Sequence, residues 1–185
     1  LLISIAVLLT TLTIMKKYVN KKYLNSNIKY KYIFKKTFKG NTLFLRLFSP
    51  KFLYKKMIKD EYDIEIAYLE GSCTRILGGG DKNSKKVAWV HITESKNEFK
   101  YAYRSFKEAV NTYLKYEKIV CVSQDVSKNL KELTGIDNNI EVKYNVNETD
   151  EIKKLATIPQ SMVKTYRDTL NICGVGKVVH SKGFL

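Results

Sequence analysis

A chain of 185 residues holds one domain, or one domain with part of another, and its 44% hydrophobic content suffices for a real core. Three scattered cysteines, Cys73, Cys121 and Cys173, exclude a disulfide framework or a zinc site and point to a reducing compartment. The net charge of +15 is concentrated: Lys16 to Asp60 carries fourteen Lys and Arg against one Asp, a local +13, so the rest is close to neutral.

The chain opens with "LLISIAVLLTTLTIM", and its β-branched residues predict one or two buried strands. A short membrane anchor is the alternative reading, although the run is shorter than the ~18–20 residues that cross a bilayer. Its flanking charges, Lys16 and Lys17, follow the apolar run, which is the wrong order for a signal peptide. With no initiator methionine, the expectation is a chain that begins in mid-domain. The basic segment that follows interleaves its cations with ten Tyr and Phe, as in "IKYKYIFKKTFKG" and "FLYKKMIK". Three readings stand open. Lysines on phosphates and rings on bases describe a nucleic-acid surface. Rings at the headgroup level with lysines drawn to surface charge describe docking on an anionic membrane. A solvated basic surface whose rings point into the core is the third. No RNA-recognition, KH or zinc-finger signature accompanies the segment, which ranks nucleic acid last.

From residue 61 the pattern becomes regular. "DEYDIEIAYLEG" predicts a strand from Ile64 to Tyr68 that ends at Glu70 and Gly71, and "KKVAWVH" predicts the next. Phe106, Val110, Tyr113 and Leu114 recur at helical spacing, with charge on the other face. "KIVCVS" returns as a strand, and Ser123 is placed to cap the following helix. Val126, Leu130 and Leu133 form that helix's stripe, Gly135 ends it, and a strand follows from Ile140 to Tyr144. Apolar strands separated by helices indicate a Rossmann-like α/β domain, a parallel sheet covered on both faces.

In such sheets ligands gather at the carboxyl ends of the strands. Glu70, Gly71, His91 and Ser123 all fall there. His91 closes the strand that holds the only tryptophan, Trp89, so it is expected to face a crevice and to be partly open to solvent. A histidine bonded to a neighbouring loop for structural reasons is the alternative.

The succession "YDIEIAYLEG", "KKVAWVH", "KIVCVSQDV", "IEVKYNVNETDEIKKLA" and "ICGVGKVVHSKGF" resembles the group 1 (family 4) retaining glycosyltransferases of the GT-B fold. The bacterial enzymes that build capsular and other surface polysaccharides are nearest in character. The resemblance covers residues 61 to 185 and carries little over the first sixty. It implies that His91 lies in the cleft near the acceptor and the transferred sugar, with Glu70, Gly71, Ser123 and Gln124 around it. "YNVNETDEI" resembles the interdomain hinge, with Val146 in place of proline and Asn147 in place of aspartate. Gly176, Lys177, Lys182 and Gly183 would meet the donor diphosphate, with Lys177 where the family has arginine. Lysine there supplies a point charge without arginine's bidentate fork.

The implied reaction is metal-independent, needs no cofactor and takes a nucleotide-sugar as donor. Lysines would neutralise the departing diphosphate, and the acceptor would be a glycan or a lipid-linked sugar at the cytoplasmic face of the membrane. On this reading residues 1–146 form the acceptor-side domain, incomplete at its N-terminus, and 147–170 the hinge and a helix. Residues 171–185 would be the first strand and loop of a missing donor-binding domain. The family's early glycine-rich loop and its Glu-x7-Glu pair are absent from the sequence. The expectation is therefore a fragment that is inactive alone. The alternative class is a non-catalytic basic α/β module holding anionic membrane or nucleic acid. A reading frame that continues into a second α/β domain with Glu-x7-Glu would discriminate between them.

Overall fold

Strands form where β-branched and apolar residues run between turn residues, and five such runs lie side by side in chain order. The computed structural model describes residues 5–8, 41–81, 83–158 and 176. The described elements are β1 (Ile5–Leu8), α1 (Asn41–Leu47), α2 (Pro50–Met57), β2 (Ile64–Ala67), α3 (Ser72–Leu77), β3 (Lys85–Val90), α4 (Lys96–Phe99), α5 (Phe106–Tyr113), β4 (Lys118–Cys121), α6 (Gln124–Thr134), β5 (Ile140–Val142) and α7 (Thr149–Ala156). The sheet order is β1-β2-β3-β4-β5 and every pairing is parallel. This is a Rossmann-like α/β fold.

The strand order bears on how the two faces of the sheet are covered. Right-handed crossovers that always step the same way leave their helices on one face of a sheet. Burial follows suit: Ala67, Ala88, Val90, Ile119 and Cys121 sit in one apolar cluster with Leu53, Ile76, Phe99, Tyr113, Val126 and Leu130 from the helices. On the other face Val120 is buried, whereas Ile64, Ile66, Val87 and Trp89 are only half-buried. The sheet is thus not closed over equally on both faces by the described residues. Nor does a reversal of strand order open a crevice among the described strands.

Most of the predicted elements are present, with shorter ends. β2 stops at Ala67 and β5 at Val142, whereas Tyr68 and Tyr144 were the expected last residues. Of the first fifteen residues, Ile5–Leu8 form a strand; the rest lie outside the described residues. Ser123 caps α6 as expected, its Oγ accepting the Val126 N–H at 3.2 Å, and Gly135 ends it at φ 71°. Leu114 departs from expectation. α5 ends at Tyr113, so Leu114 lies past the last turn and is exposed, while Ala109 and Thr112 are buried in its stead.

Two arginines anchor α1. The C-terminal carbonyls of a helix have no partners within it. Here the buried Arg75 donates to Leu45 O (2.7 Å) and Phe48 O (2.9 Å), and pairs with Glu108 at 2.9 Å. Arg104 donates to Arg46 O at 3.0 Å and to Leu47 O. Four consecutive carbonyls are satisfied by side chains from distant segments.

The chain divides into two compact units, residues 1–145 and 146–185. The sheet belongs to the first. In the second, α7 carries Asp150 and Glu151 in its first turn and Lys153 and Lys154 in its last, which suits the helix dipole, and none of its residues is buried.

Candidate functional site

Parallel strands deliver their carboxyl ends to one edge, and here β2 and β3 run in register, Ala67 opposite Ala88. Beyond β2 the chain passes through Tyr68, Leu69 and Glu70 and turns at Gly71 into α3. Gly71 has φ 78° and ψ −122°, a conformation that side chains disfavour, so a glycine is required for the turn. That turn sets Glu70 against the end of β3. Its Oε2 accepts the His91 backbone N–H at 2.9 Å and lies 3.9 Å from Nδ1.

The His91 side chain is 19% exposed and that of Glu70 14%. The Nδ1 atom is buried and makes no hydrogen bond, although the carboxylate is a small movement away. A carboxylate facing Nδ1 favours the tautomer protonated there, which leaves Nε2 for a ligand. His91 is thus partly open to solvent at the carboxyl edge of the sheet, and its backbone N–H is fastened to the Glu70 loop.

Tyr68 completes the edge. Its ring meets the imidazole edge-on, centroids 5.0 Å apart, and leans on Trp89 at 5.2 Å. Tyr68 is 37% exposed. An open ring beside a carboxylate and an imidazole suits a molecule with an apolar C–H face and a polar rim.

Glu94, which sequence reasoning missed, joins this group through the loop after β3. Its backbone N–H donates to Asn129 Oδ1 of α6 at 2.8 Å, which ties the loop down. Desolvation pushes the Glu94 carboxyl up to about 7, and the Glu70 and Glu98 charges add to the rise. Near neutral pH it is therefore poised to give or take a proton. Behind it, burial raises the Tyr103 and Tyr113 hydroxyls well above their usual range, and the Glu94 charge adds to both shifts. The Tyr113 hydroxyl is buried without a hydrogen-bond partner. No spacing in the sequence marks Glu94, because only the folded loop gives it Asn129 and Glu70 as neighbours.

The remaining expected residues divide. Glu70, Gly71 and His91 come together. The last residue of β3 stays joined to the chain just past β4 through Val122 N–H to Val90 O at 3.1 Å, which leads Ser123 to the same edge. Its hydroxyl accepts the Val126 N–H in capping α6, which gives it a structural role there. Gln124 is exposed at the first position of α6. Gly176 is exposed in the second unit, whereas Lys177, Lys182 and Gly183 lie outside the described residues.

Among the described residues no group of three or more His, Cys, Asp and Glu is placed to hold a metal ion. Among them, too, no helix is long and apolar enough to cross a membrane. No protein-family model, curated protein or solved structure matches the chain.

Proposed function

We propose that this chain carries the acceptor side of a GT-B glycosyltransferase, with the acceptor sugar held against Tyr68, Glu70, His91 and Glu94. The observation that carries the reading is the Glu70–His91 pair at the carboxyl edge of a parallel sheet, with the Tyr68 ring beside it. The order of sequence motifs around that edge supports it independently. The donor would be a nucleotide-sugar, and the product a glycan or lipid-linked sugar made at the cytoplasmic face of a membrane.

In that role His91 Nε2 holds a sugar hydroxyl, and Glu70 fixes the imidazole from behind. The acceptor oxygen bonds to the anomeric carbon as the bond to the nucleoside diphosphate breaks, and its proton must leave. Glu94, with its raised pKa, is the described carboxyl best suited to take that proton or to bind the hydroxyl in its neutral form. Gly176, Lys177, Lys182 and Gly183 would meet the departing diphosphate, where fixed cations stabilise developing charge.

The test is sugar transfer by the natural gene product, from a panel of nucleotide-sugars to oligosaccharide and polyprenyl-linked acceptors. His91→Ala should lower transfer by about a hundredfold or more while the fold stays intact. Transfer that is unchanged in this variant would overturn the site.

A further inference from the structure

α1 and α2 are short helices with an inverted distribution of apolar residues. Each turns one leucine into the core, Leu45 and Leu53 respectively, at 5% and 1% exposure. Their outer side exposes Leu43, Phe44, Leu47, Phe48 and Phe52. The three phenylalanines form a ladder: Phe44 and Phe48 centroids are 4.7 Å apart, and Phe48 and Phe52 5.3 Å. Exposed apolar residues scattered singly are ordinary, whereas a contiguous group marks an interaction surface. The arginine contacts on the four carbonyls from Leu45 to Phe48 fix the end of α1, which carries Phe44 and leads into Phe48.

Charge identifies the partner. Residues 41–59 carry five Lys and Arg and no acid. Lys51, Lys55, Lys56 and Lys59 are exposed, and none of the four forms an ion pair among the described residues. Lys55 and Lys56 stand three and four residues after Phe52, on its side of α2.

We propose that the outer face of α1 and α2 docks on an anionic lipid surface, with the Phe ladder and the two leucines in the headgroup layer and the lysines on lipid phosphates. An apolar stripe flanked by lysines is the form that lies in a membrane interface. Helices of seven and eight residues are far too short to span, so the chain lies on the surface. Nucleic acid is the poorer fit. Phe48 and Phe52 are stacked on each other at 25°, so their faces are turned inward instead of offering platforms for bases. Aliphatic Leu43 and Leu47 also give a base nothing to stack on. The inference extends the proposed membrane location but does not depend on sugar transfer. A variant that loses vesicles and still binds sugar at His91 separates the two.

The experiment is co-sedimentation of the 185-residue chain with vesicles of phosphatidylcholine alone or mixed with phosphatidylglycerol, at low and high salt. Circular dichroism and thermal melting verify each variant's fold. The chain should prefer the anionic vesicles, and salt should weaken that preference. Lys55→Glu/Lys56→Glu should weaken anionic binding by about fivefold or more for each lysine. Leu47→Gln/Phe52→Gln should weaken binding about tenfold, and what remains should be almost wholly salt-sensitive. Both substituted residues are half exposed or more, so the fold should survive. Equal binding to neutral and anionic vesicles, wild-type binding by both variants, or no binding at all would overturn the proposal. So would single-stranded RNA binding that is tighter than vesicle binding and lost in Leu47→Gln/Phe52→Gln.

Discussion

β2 and β3 carry acidic groups at both of their ends, and the two ends treat them in opposite ways. At the amino end, Glu65 and Lys86 face each other in register on the covered face, nearly inaccessible, with Nζ 3.1 Å from Oε2. That contact is an ion pair more than an aligned hydrogen bond. The ammonium hydrogens go instead to Asp81 O (2.7 Å) and Ser84 Oγ (2.6 Å), and the Tyr54 hydroxyl donates to Glu65 Oε1. At the carboxyl end, Glu70 and Glu94 form no ion pair with Lys or Arg among the described residues, and the nearby imidazole retains a buried nitrogen without a hydrogen bond. The first cluster is paired in charge, as a buried structural group must be, although Glu65 Oε2 has the facing ammonium and no hydrogen bond. The second leaves charge and hydrogen-bonding capacity unused within the protein, as a binding site must.

Perturbing each end should expose this difference. The largest effect belongs to the amino end. Lys86→Met strands the Glu65 carboxylate in the core and should destabilise the domain by about 3–5 kcal/mol in chemical denaturation. Adding Glu65→Met should recover much of that loss, since a buried pair replaced by apolar side chains is often close to neutral. A Lys86→Met variant as stable as the wild type would show that the pair is not the closed unit described here.

Glu94 comes next, and its effect depends on pH. Its folded pKa of about 7 lies above the ordinary 4.5, so the native state holds this proton more tightly than the unfolded state. The contribution to stability is full below about pH 4.5 and is lost as pH rises through 7. Glu94→Gln should therefore flatten that fall, and relative to wild type it should gain on the order of 1 kcal/mol between pH 5 and pH 8, allowing for solvent screening. Urea midpoints measured across that range provide the check. An unchanged slope would remove Glu94 from the unsatisfied cluster.

Ser123 sits at the same edge yet should behave as a structural residue. Ser123→Ala removes the cap of α6 and should cost about 1 kcal/mol in thermal or chemical unfolding. Glycan binding by this variant should match wild type. A specific loss of binding would return Ser123 to the site.

Much of this arrangement is legible in the sequence, because strand ends and caps are local. "VAWVH" and "IVCVS" fix where β3 and β4 stop, and Ser123 and Gly135 bracket α6 through hydrogen bonding and φ alone. What escapes is non-local. Glu65 and Lys86 look like ordinary solvated charges until the parallel register sets them opposite each other on the covered face. Glu94 acquires its neighbours only when its loop folds onto Asn129. The cover of the sheet depends on strand order, which no periodicity encodes. The basic aromatic segment shows the same limit. Composition left its rings either buried or outward, and the fold leaves Phe44, Phe48 and Phe52 partly exposed while Leu45 and Leu53 turn inward.

The smallest expected change in stability is at His91, and the binding role of the carboxyl edge stands or falls with that variant. His91→Ala removes a ring that makes no side-chain hydrogen bond and leaves the backbone N–H to Glu70 in place, so the melting temperature should barely move. The measurement is NMR titration of the chain with a panel of short oligosaccharides, observed at the imidazole resonances of its two histidines, His91 and His180. An acceptor-like glycan should shift the His91 signal saturably, and His91→Ala should abolish binding without unfolding the domain. A His91 signal indifferent to every glycan, in a domain that His91→Ala destabilises as strongly as Lys86→Met does, would contradict that binding role.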